Sequence, residues 1–598
     1  MVDSRSLLDL GSIAQRFSEH GDDSAARLLS DVGERIQSST SEGVWIYLLP
    51  EEELLKQLRG AQERRAAGID LPLFGVPFAV KDILDVAGLP TTAACPAFRF
   101  TAERTAPAVQ RLLDAGAILV GKTNLDQFAS GLAGDRTPYG VCRNLFDAKR
   151  VAGGSSSGSG VAVAAGLVSF ALGTDTAGSG RIPAGCNNIV GLKPTPGLIS
   201  TEGVTPACRS LDCVSVFALT AADAEIVFEV MRGAPAEAPV SVPSQVCYGV
   251  PRDEELEFFD ETGQERLFRE TLARLDEWGW QRLAVDFRPF RKVAALLYEG
   301  PWLAERWADI GDFIDKHPDG VHPATRAVLR EGLKYTAVEL FRAQHELQRL
   351  RATCLSIFDR AQVLVVPTLP CLPTVAEAES DSRLWSRRLG HYTNFVNLLG
   401  LAAVAVPAGF TPGGLPGGIT LIGPGGSDRM LCSLAKAWQA RTNLPLGATG
   451  QRQPPAVSSA PAGRRAEEKL VRVAVAGAHL RGQPLHTDLL KTGARFVRAC
   501  KTAPRYRFLA FMNLKPPRPG LLRDDDRAGA AEVEVYELPL AGFGALVASV
   551  APPLAIGTIE LEDGEAVKGF LCESWHAKQA RDITDFGGWV AFREHREK

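Results

Sequence analysis

The chain has 598 residues, of which 45% are hydrophobic and 23% charged, and its formal net charge at pH 7 is −4. This length accommodates roughly two to four domains, and the composition is that of an ordinary globular protein. The charge balance argues against a general nucleic-acid binder, while eleven scattered cysteines without a CxxC give no zinc-ligand spacing and read as reduced core thiols.

The opening MVDSRSLLDLGSIAQRF has an early acidic residue and no continuous apolar core, so it does not read as a secretory signal. Residues 6–68 read as helices: SLLDLGSIAQRF and EEELLKQLRGAQERRAAG place apolar side chains at helical spacing, and Gly68 is a stop. LFGVPFAVKDILDVAG then reads as a buried strand running into a loop. APAVQRLLDAGAILVGKTN reads as a helix followed by a strand, and the alternation continues with a helix at Val161–Ala165 and a strand at Leu167–Thr174. This pattern predicts an α/β domain with a mixed sheet.

Between these elements lies VAGGSSSGSGVAVAAGLVSFALGTDTAGSGRIPAGCNN, Val151–Asn188, with six serines, nine glycines and no histidine. Core-like flanks exclude a linker. A phosphate loop fits poorly, because GxxxxGK[ST] is absent and Val163 stands where GxGxxG needs its third glycine. Nucleophilic catalysis remains, and a serine hydroxyl needs a base. With no histidine nearby, the candidate is Lys81, at the end of the apolar run LPLFGVPFAV. An unperturbed lysine is neutral in only about 0.04% of molecules at pH 7, so this role requires burial to lower its pKa.

Further along, residues 260–360 read as mainly helical, and VLVVPTLP and LAAVAVPAGF return to sheet. The runs Val161–Thr174 and Leu398–Phe410 are too short and too broken by Gly or Pro to span a bilayer, and the expected location is cytoplasmic. Periodicity is lost over Leu446–Lys469, which reads as an exposed linker. Beyond it, LVRVAVAGAHL, RFLAFMN, AAEVEVYELP and AVKGFLCE read as strands of a second, β-rich domain.

GVPFAVKDILDVAGLPTTAACPAF, GGSSSGSGVAVAAG and GTDTAGSGRIPAGCNNIVGLKPT together resemble the amidase signature family, over most of residues 70–200. The resemblance implies an α/β amidase signature fold, a central mixed β-sheet flanked by helices. It implies Lys81 as catalytic base, Ser155 as a bridging serine carried on a cis Gly154–Ser155 peptide, and Ser179 as nucleophile. It also implies an oxyanion hole from the backbone N–H groups of Thr176, Ala177 and Gly178. Ser157 and Ala177 stand where many members have glycine, which raises the question whether φ at Ala177 must be positive. Ser156, Ser157 and Ser159 are expected to hydrogen-bond locally.

LLYEGPWLAERW, Leu296–Trp307, and the variant TDTAGSGRIPA resemble allophanate hydrolases. That resemblance implies Tyr298 and Arg306 as substrate-binding residues. TNLDQFASGLAG is expected near the same pocket, with Ser130 and Gly131 as polar and backbone contacts. Pro301 is placed to start the helix that carries Arg306. An arginine fork suits a small carboxylated urea; a surface helix whose arginine pairs with Glu305 is the bland alternative.

VRVAVAGAHLRGQPLHTDLLKTGARF resembles the start of the additional domain of many allophanate hydrolases, which implies a smaller γ-glutamylcyclotransferase-like β-rich unit assisting decarboxylation of N-carboxycarbamate. His479 is its candidate catalytic residue and His486 a lesser one. The expected organisation is an amidase domain at 1–448, a linker at 449–467 and the C-terminal domain at 468–598. The expected reaction is hydrolysis of allophanate to ammonia and carbon dioxide, with no metal or organic cofactor, in a homodimer. The alternatives are another amidase of the same fold, including the glutaminase component of an amidotransferase, and a non-catalytic scaffold.

Overall fold

The computed structural model describes residues 7–22, 24–233, 240, 242–243, 245–453, 470–524 and 528–597. The chain divides into two compact units, residues 1–461 and 462–598. Most of the expected linker, from residue 454 onward, lies outside the described residues.

The first unit is built on eleven strands: β1 (Trp45–Leu48), β2 (Pro77–Lys81), β5 (Ile118–Thr123), β6 (Phe170–Asp175), β7 (Val190–Lys193), β8 (Cys213–Ala218), β9 (Cys247–Pro251), β10 (Gln281–Val285), β11 (Val363–Pro367), β12 (Ala402–Phe410) and β13 (Pro416–Gly423). The short pair β3 (Pro90–Thr91) and β4 (Phe100–Thr101) stands apart as its own ribbon. The large sheet runs β1-β5-β2-β6-β8-β7-β12-β13-β11-β9-β10. It is mixed: β2 is parallel to β5 and β6, whereas β8 is antiparallel to β6 and β7. Every residue of β2, β5 and β6 is buried, as a strand covered on both faces requires.

The alternation of side chains along the strands separates two apolar cores. Val363 and Val365 join one cluster while Leu364 and Val366 join the other, and Ile419 and Leu421 divide from Ile422 in the same way. A period of two puts such neighbours on opposite faces, so the sheet is filled from both sides.

Two expected helical regions are interrupted. The segment from 6 to 68 holds helices Leu10–His20, Ser24–Ser38 and Glu51–Ala66, with β1 between the second and third. WIYL is too short to show its period against helical neighbours, and antiparallel pairing with β5 makes it an edge strand. Likewise β10 divides the 260–360 region, joining β9 in parallel register.

The second unit contains β14 (Leu470–Val475), β15 (Arg495–Lys501), β16 (Tyr506–Phe511), β17 (Arg518–Arg523), β18 (Glu532–Pro539), β19 (Leu554–Glu560), β20 (Ala566–Cys572) and β21 (Arg581–Asp582). They form one sheet ordered β15-β18-β14-β20-β17-β16-β21, with β19 antiparallel to β20. The sequence shows β14, β16, β18 and β20. It conceals β15, RFVRACK, whose burial has no clean alternation.

All eleven cysteines are free thiols, nine of them buried. Among the described residues no helix is long and apolar enough to cross a membrane.

Candidate active site

The site lies at the carboxyl ends of the parallel strands β2 and β6, where α/β sheets collect ligands. Lys81 ends β2 and is fully buried. Its Nζ donates to Ser155 Oγ at 2.7 Å and to Thr174 Oγ1 at 2.9 Å. Burial pulls the Lys81 amine down from the ordinary 10.5 to about 7, although Asp126, Asp212 and Asp175 pull the other way. About half of such amines are unprotonated near neutrality.

Ser155 follows a cis Gly154–Ser155 peptide. A side chain at Gly154 would collide with the Asp126 carboxylate, which accepts from the backbone N–H of Gly134 at 3.0 Å and of Arg136 at 2.9 Å. Ser156 and Ser159 bond locally as expected: Ser156 Oγ donates to the carbonyl of Thr174 at 3.3 Å, and Ser159 Oγ to that of Leu172 at 2.9 Å. Ser157 makes no close bond of this kind, and its buried hydroxyl interacts with the Cys142 thiol instead. Ser157 begins the buried helix Ser157–Ala164, which packs against β2, β6 and β8.

Beyond β6 the chain forms the loop carrying Ser179, which is buried. No hydrogen bond joins Ser179 to Ser155 among the described residues, so the contact between them is the one link of the expected relay that this geometry leaves open. The backbone N–H groups of Thr176, Ala177, Gly178 and Ser179 donate to no protein acceptor among the described residues. Four consecutive donors in a buried loop are rare without an acceptor, and this is the donor set a developing oxyanion needs. Ala177 does not have positive φ; Gly178 takes it at +142°, where a side chain would also meet Thr393. The departure from glycine at 177 is therefore harmless to the backbone.

A fork clamps this loop at both ends. Arg181 Nε donates to Asp175 Oδ2 at 2.8 Å and its Nη2 to Oδ1 at 2.9 Å, with both side chains wholly buried. Arg181 holds the Asp175 carboxyl below its ordinary range against the opposing effect of burial. Asp175→Asn would leave a buried guanidinium without its charge partner, and we expect a loss of about 3 kcal/mol in a chemical denaturation titration. Because the folded pKa is depressed, the Asp175 contribution is present above the unfolded value of 3.8 and is lost as pH falls below it. The wild-type advantage over the variant should therefore shrink on acidification.

Arg306 lies in the helix Trp302–Lys316, which Pro301 precedes as expected. It is 1% exposed, and none of its guanidinium nitrogens makes a close hydrogen bond, although Tyr298 and the Asp212 carboxylate attract it from further away. Its Cζ stands 5.1 Å from the Tyr298 ring centroid. The surface-pair alternative fails because Glu305 instead accepts from Ser210, at 2.7 Å from both its N–H and its Oγ. Burying a cation without an acceptor is costly unless a ligand supplies one. Nearby, Asp212 accepts from Thr176 Oγ1 at 2.5 Å and from the N–H groups of Ala207 and Cys208, tying the Ser179 loop to the segment under Arg306. Ser130 is buried with its hydroxyl unpartnered. Gly131 and Tyr298 line one cavity of about 340 Å³.

Sequence reading missed Thr174, the Asp175–Arg181 fork and Asp212. Asp175 and Arg181 stand in GTDTAGSGRIPA and could have been paired from it; RSLDC gives no signal for Asp212.

In the second unit, His479 is largely buried and its ring stacks on Phe570, centroids 5.1 Å apart. His486 Nδ1 donates to the His479 carbonyl at 3.1 Å. Burial, then Arg518, pushes His479 down to about 4, leaving a neutral imidazole at pH 7. Among the described residues no three His, Cys, Asp or Glu side chains cluster as a metal site.

Comparison with known proteins agrees with this geometry. The profile described as Amidase matches residues 27–432, and that of the allophanate hydrolase C-terminal domain matches 471–594. The urea amidolyase of Saccharomyces cerevisiae is 41% identical over 96% of this chain, and that of Lachancea kluyveri 41% over 93%. The chain spans about a third of the length of these two relatives, 32% and 31%. A glutamyl-tRNA(Gln) amidotransferase component from Symbiobacterium thermophilum is 34% identical over 71% of the chain and 94% of that protein. Among solved structures, Kluyveromyces lactis allophanate hydrolase superposes with a TM-score of 0.72 at 39% identity, covering 98% of this chain and 99% of that one. A buried lysine hydrogen-bonded to a cis-peptide serine, unpaired loop amides and a family match over more than half of its length lead to one conclusion: this chain belongs to the amidase signature family, with an allophanate hydrolase C-terminal domain following the amidase fold.

Proposed function

We propose that this chain hydrolyses allophanate, with the amidase unit releasing ammonia and the C-terminal unit assisting decarboxylation. The observation that carries the substrate is Arg306, a buried guanidinium beside the Tyr298 ring with no close hydrogen bond to any protein acceptor. A carboxylated urea supplies the missing anion and leaves its amide carbonyl for the serine loop.

In the proposed mechanism neutral Lys81 takes a proton from Ser155, which takes one from Ser179 as Ser179 Oγ attacks the amide carbon. The amides of Thr176, Ala177 and Gly178 receive the negative charge on the carbonyl oxygen. The relay then runs backwards and protonates the departing nitrogen, so ammonia leaves and an acyl-serine remains. Water, deprotonated by the same relay, attacks this ester and frees Ser179. Ser130 and Gly131 complete the substrate contacts. The acyl product, N-carboxycarbamate, loses carbon dioxide with neutral His479 as the candidate group. The boundaries 1–448, 449–467 and 468–598, a homodimeric state and a cytoplasmic location belong to the same reading.

The test is ammonia release by the intact chain from allophanate, glutamine and simple amides. We expect allophanate to be preferred over the others by at least about 100-fold in kcat/KM, a margin that a buried charge pair supplies. Turnover of glutamine but not allophanate would transfer the assignment to a glutaminase of the amidotransferase type.

A further inference from the structure

The cavity that Gly131 and Tyr298 line is bounded on another side by Gly390, His391 and Asn394. Asn394 connects it to the serine loop through the chain, because the adjoining Thr393 packs on Gly178, where a side chain would strike it. Four arginines also reach this cavity, and their partners separate them from its buried wall. Arg136 is satisfied by Ser382, Ser386 and the Ser130 carbonyl. Arg383 pairs with Glu331 at 2.6 Å, Arg291 lies 3.9 Å from Glu255, and Arg387 is exposed.

Asn394 differs from all of these. It is 6% exposed, and its Oδ1 is buried without a hydrogen-bond partner. A side chain at Gly390 would collide with the Asn394 carboxamide, so the carboxamide lies folded over that glycine along the cavity wall. A buried carbonyl oxygen left unbonded forfeits its hydration without compensation, a loss that a ligand N–H can recover. Neighbouring His391, pushed down to about 4 by burial and then by Arg291, carries no charge at neutral pH.

Resting on the substrate reading above, we propose that Asn394 is a specificity-determining residue that accepts, through Oδ1, the N–H standing between the two carbonyls of an anionic ureide. Arg306 takes the carboxylate of that ligand and the serine loop takes its amide carbonyl, which leaves the central N–H as the donor still to be matched. A site that offers an acceptor to such a group discriminates against an isostere lacking it.

Malonamate has CH2 where allophanate has this N–H and is otherwise alike in charge and amide, so the pair isolates the contact. The experiment measures kcat/KM on both substrates for wild type and Asn394→Ala, with a melting curve for each protein. We expect the variant to lose about 30-fold on allophanate and to stay within about threefold of wild type on malonamate. Equal losses on the two substrates, or no loss on either, overturn the inference. If Asn394→Ala does not fold, Asn394→Ser reports the same ratio. A wild-type protein active on malonamate but inert on allophanate defeats the substrate reading instead, and this inference with it.

Discussion

Lys81→Ala is expected to fold and to lose about 10³–10⁴-fold in kcat, the contribution of a positioned general base. The reason is the desolvated amine, about 7 where an exposed lysine stands at 10.5, bonded to Ser155. In the wild type only the unprotonated amine accepts a proton. The rate kcat/KM should therefore rise about tenfold per pH unit below 7 and flatten above it. The residual rate of the variant should lack that inflection. Full activity in Lys81→Ala would refute the assigned base.

The same shift has a stability consequence of definite sign. Between pH 7 and 10.5 the folded chain binds fewer protons at Lys81 than the unfolded chain, so stability rises with pH across this window. Below pH 7 the wild type carries the full penalty, roughly 5 kcal/mol. Lys81→Met, which fills similar volume without the charge, should melt above the wild type at pH 6, with the gap closing toward pH 10. A variant that melts below the wild type at pH 6 would show that the amine is not desolvated.

Arg306→Ala carries the second large effect. Removing the guanidinium should cost about 10³-fold in kcat/KM on allophanate, roughly the 4 kcal/mol of a buried charge-assisted pair. On propionamide, which has no carboxylate, the variant should remain within about threefold of wild type. An equal loss on both amides would mean that Arg306 shapes the site rather than binds the anion. Added guanidinium ion should restore part of the allophanate rate, which a merely collapsed pocket would not permit.

The residues involved divide by how local their signal is. Lys81 is legible because the serine-rich run has no histidine and because its motif resembles that of the amidase family, whereas a lone lysine ending a strand reads as a solvated terminus; Ser155 and Ser179 are legible through the resemblance of their glycine-rich motifs. The second sheet residue to hold the amine, Thr174, looks like any strand threonine, and only β6 lying beside β2 turns its hydroxyl toward Lys81. The strands β1 and β10 were hidden for a related reason: each is a short segment among helices, made a strand by the pairing partner rather than by its own period.

By itself, then, the sequence determined the α/β class, the β-rich second unit and the helix start at Pro301, since each depends on neighbours within one element or one motif, and it proposed the serine–serine–lysine set through the resemblance of its motifs. Tertiary structure alone decided that Arg306 is buried without a close hydrogen bond, that Asp212 ties its surroundings to the serine loop, and that Asn394, on the cavity wall, keeps an unbonded carboxamide oxygen. Desolvation and partnering arise from segments far apart in the chain closing on one another, and no local pattern of residues encodes what the opposite wall will bring.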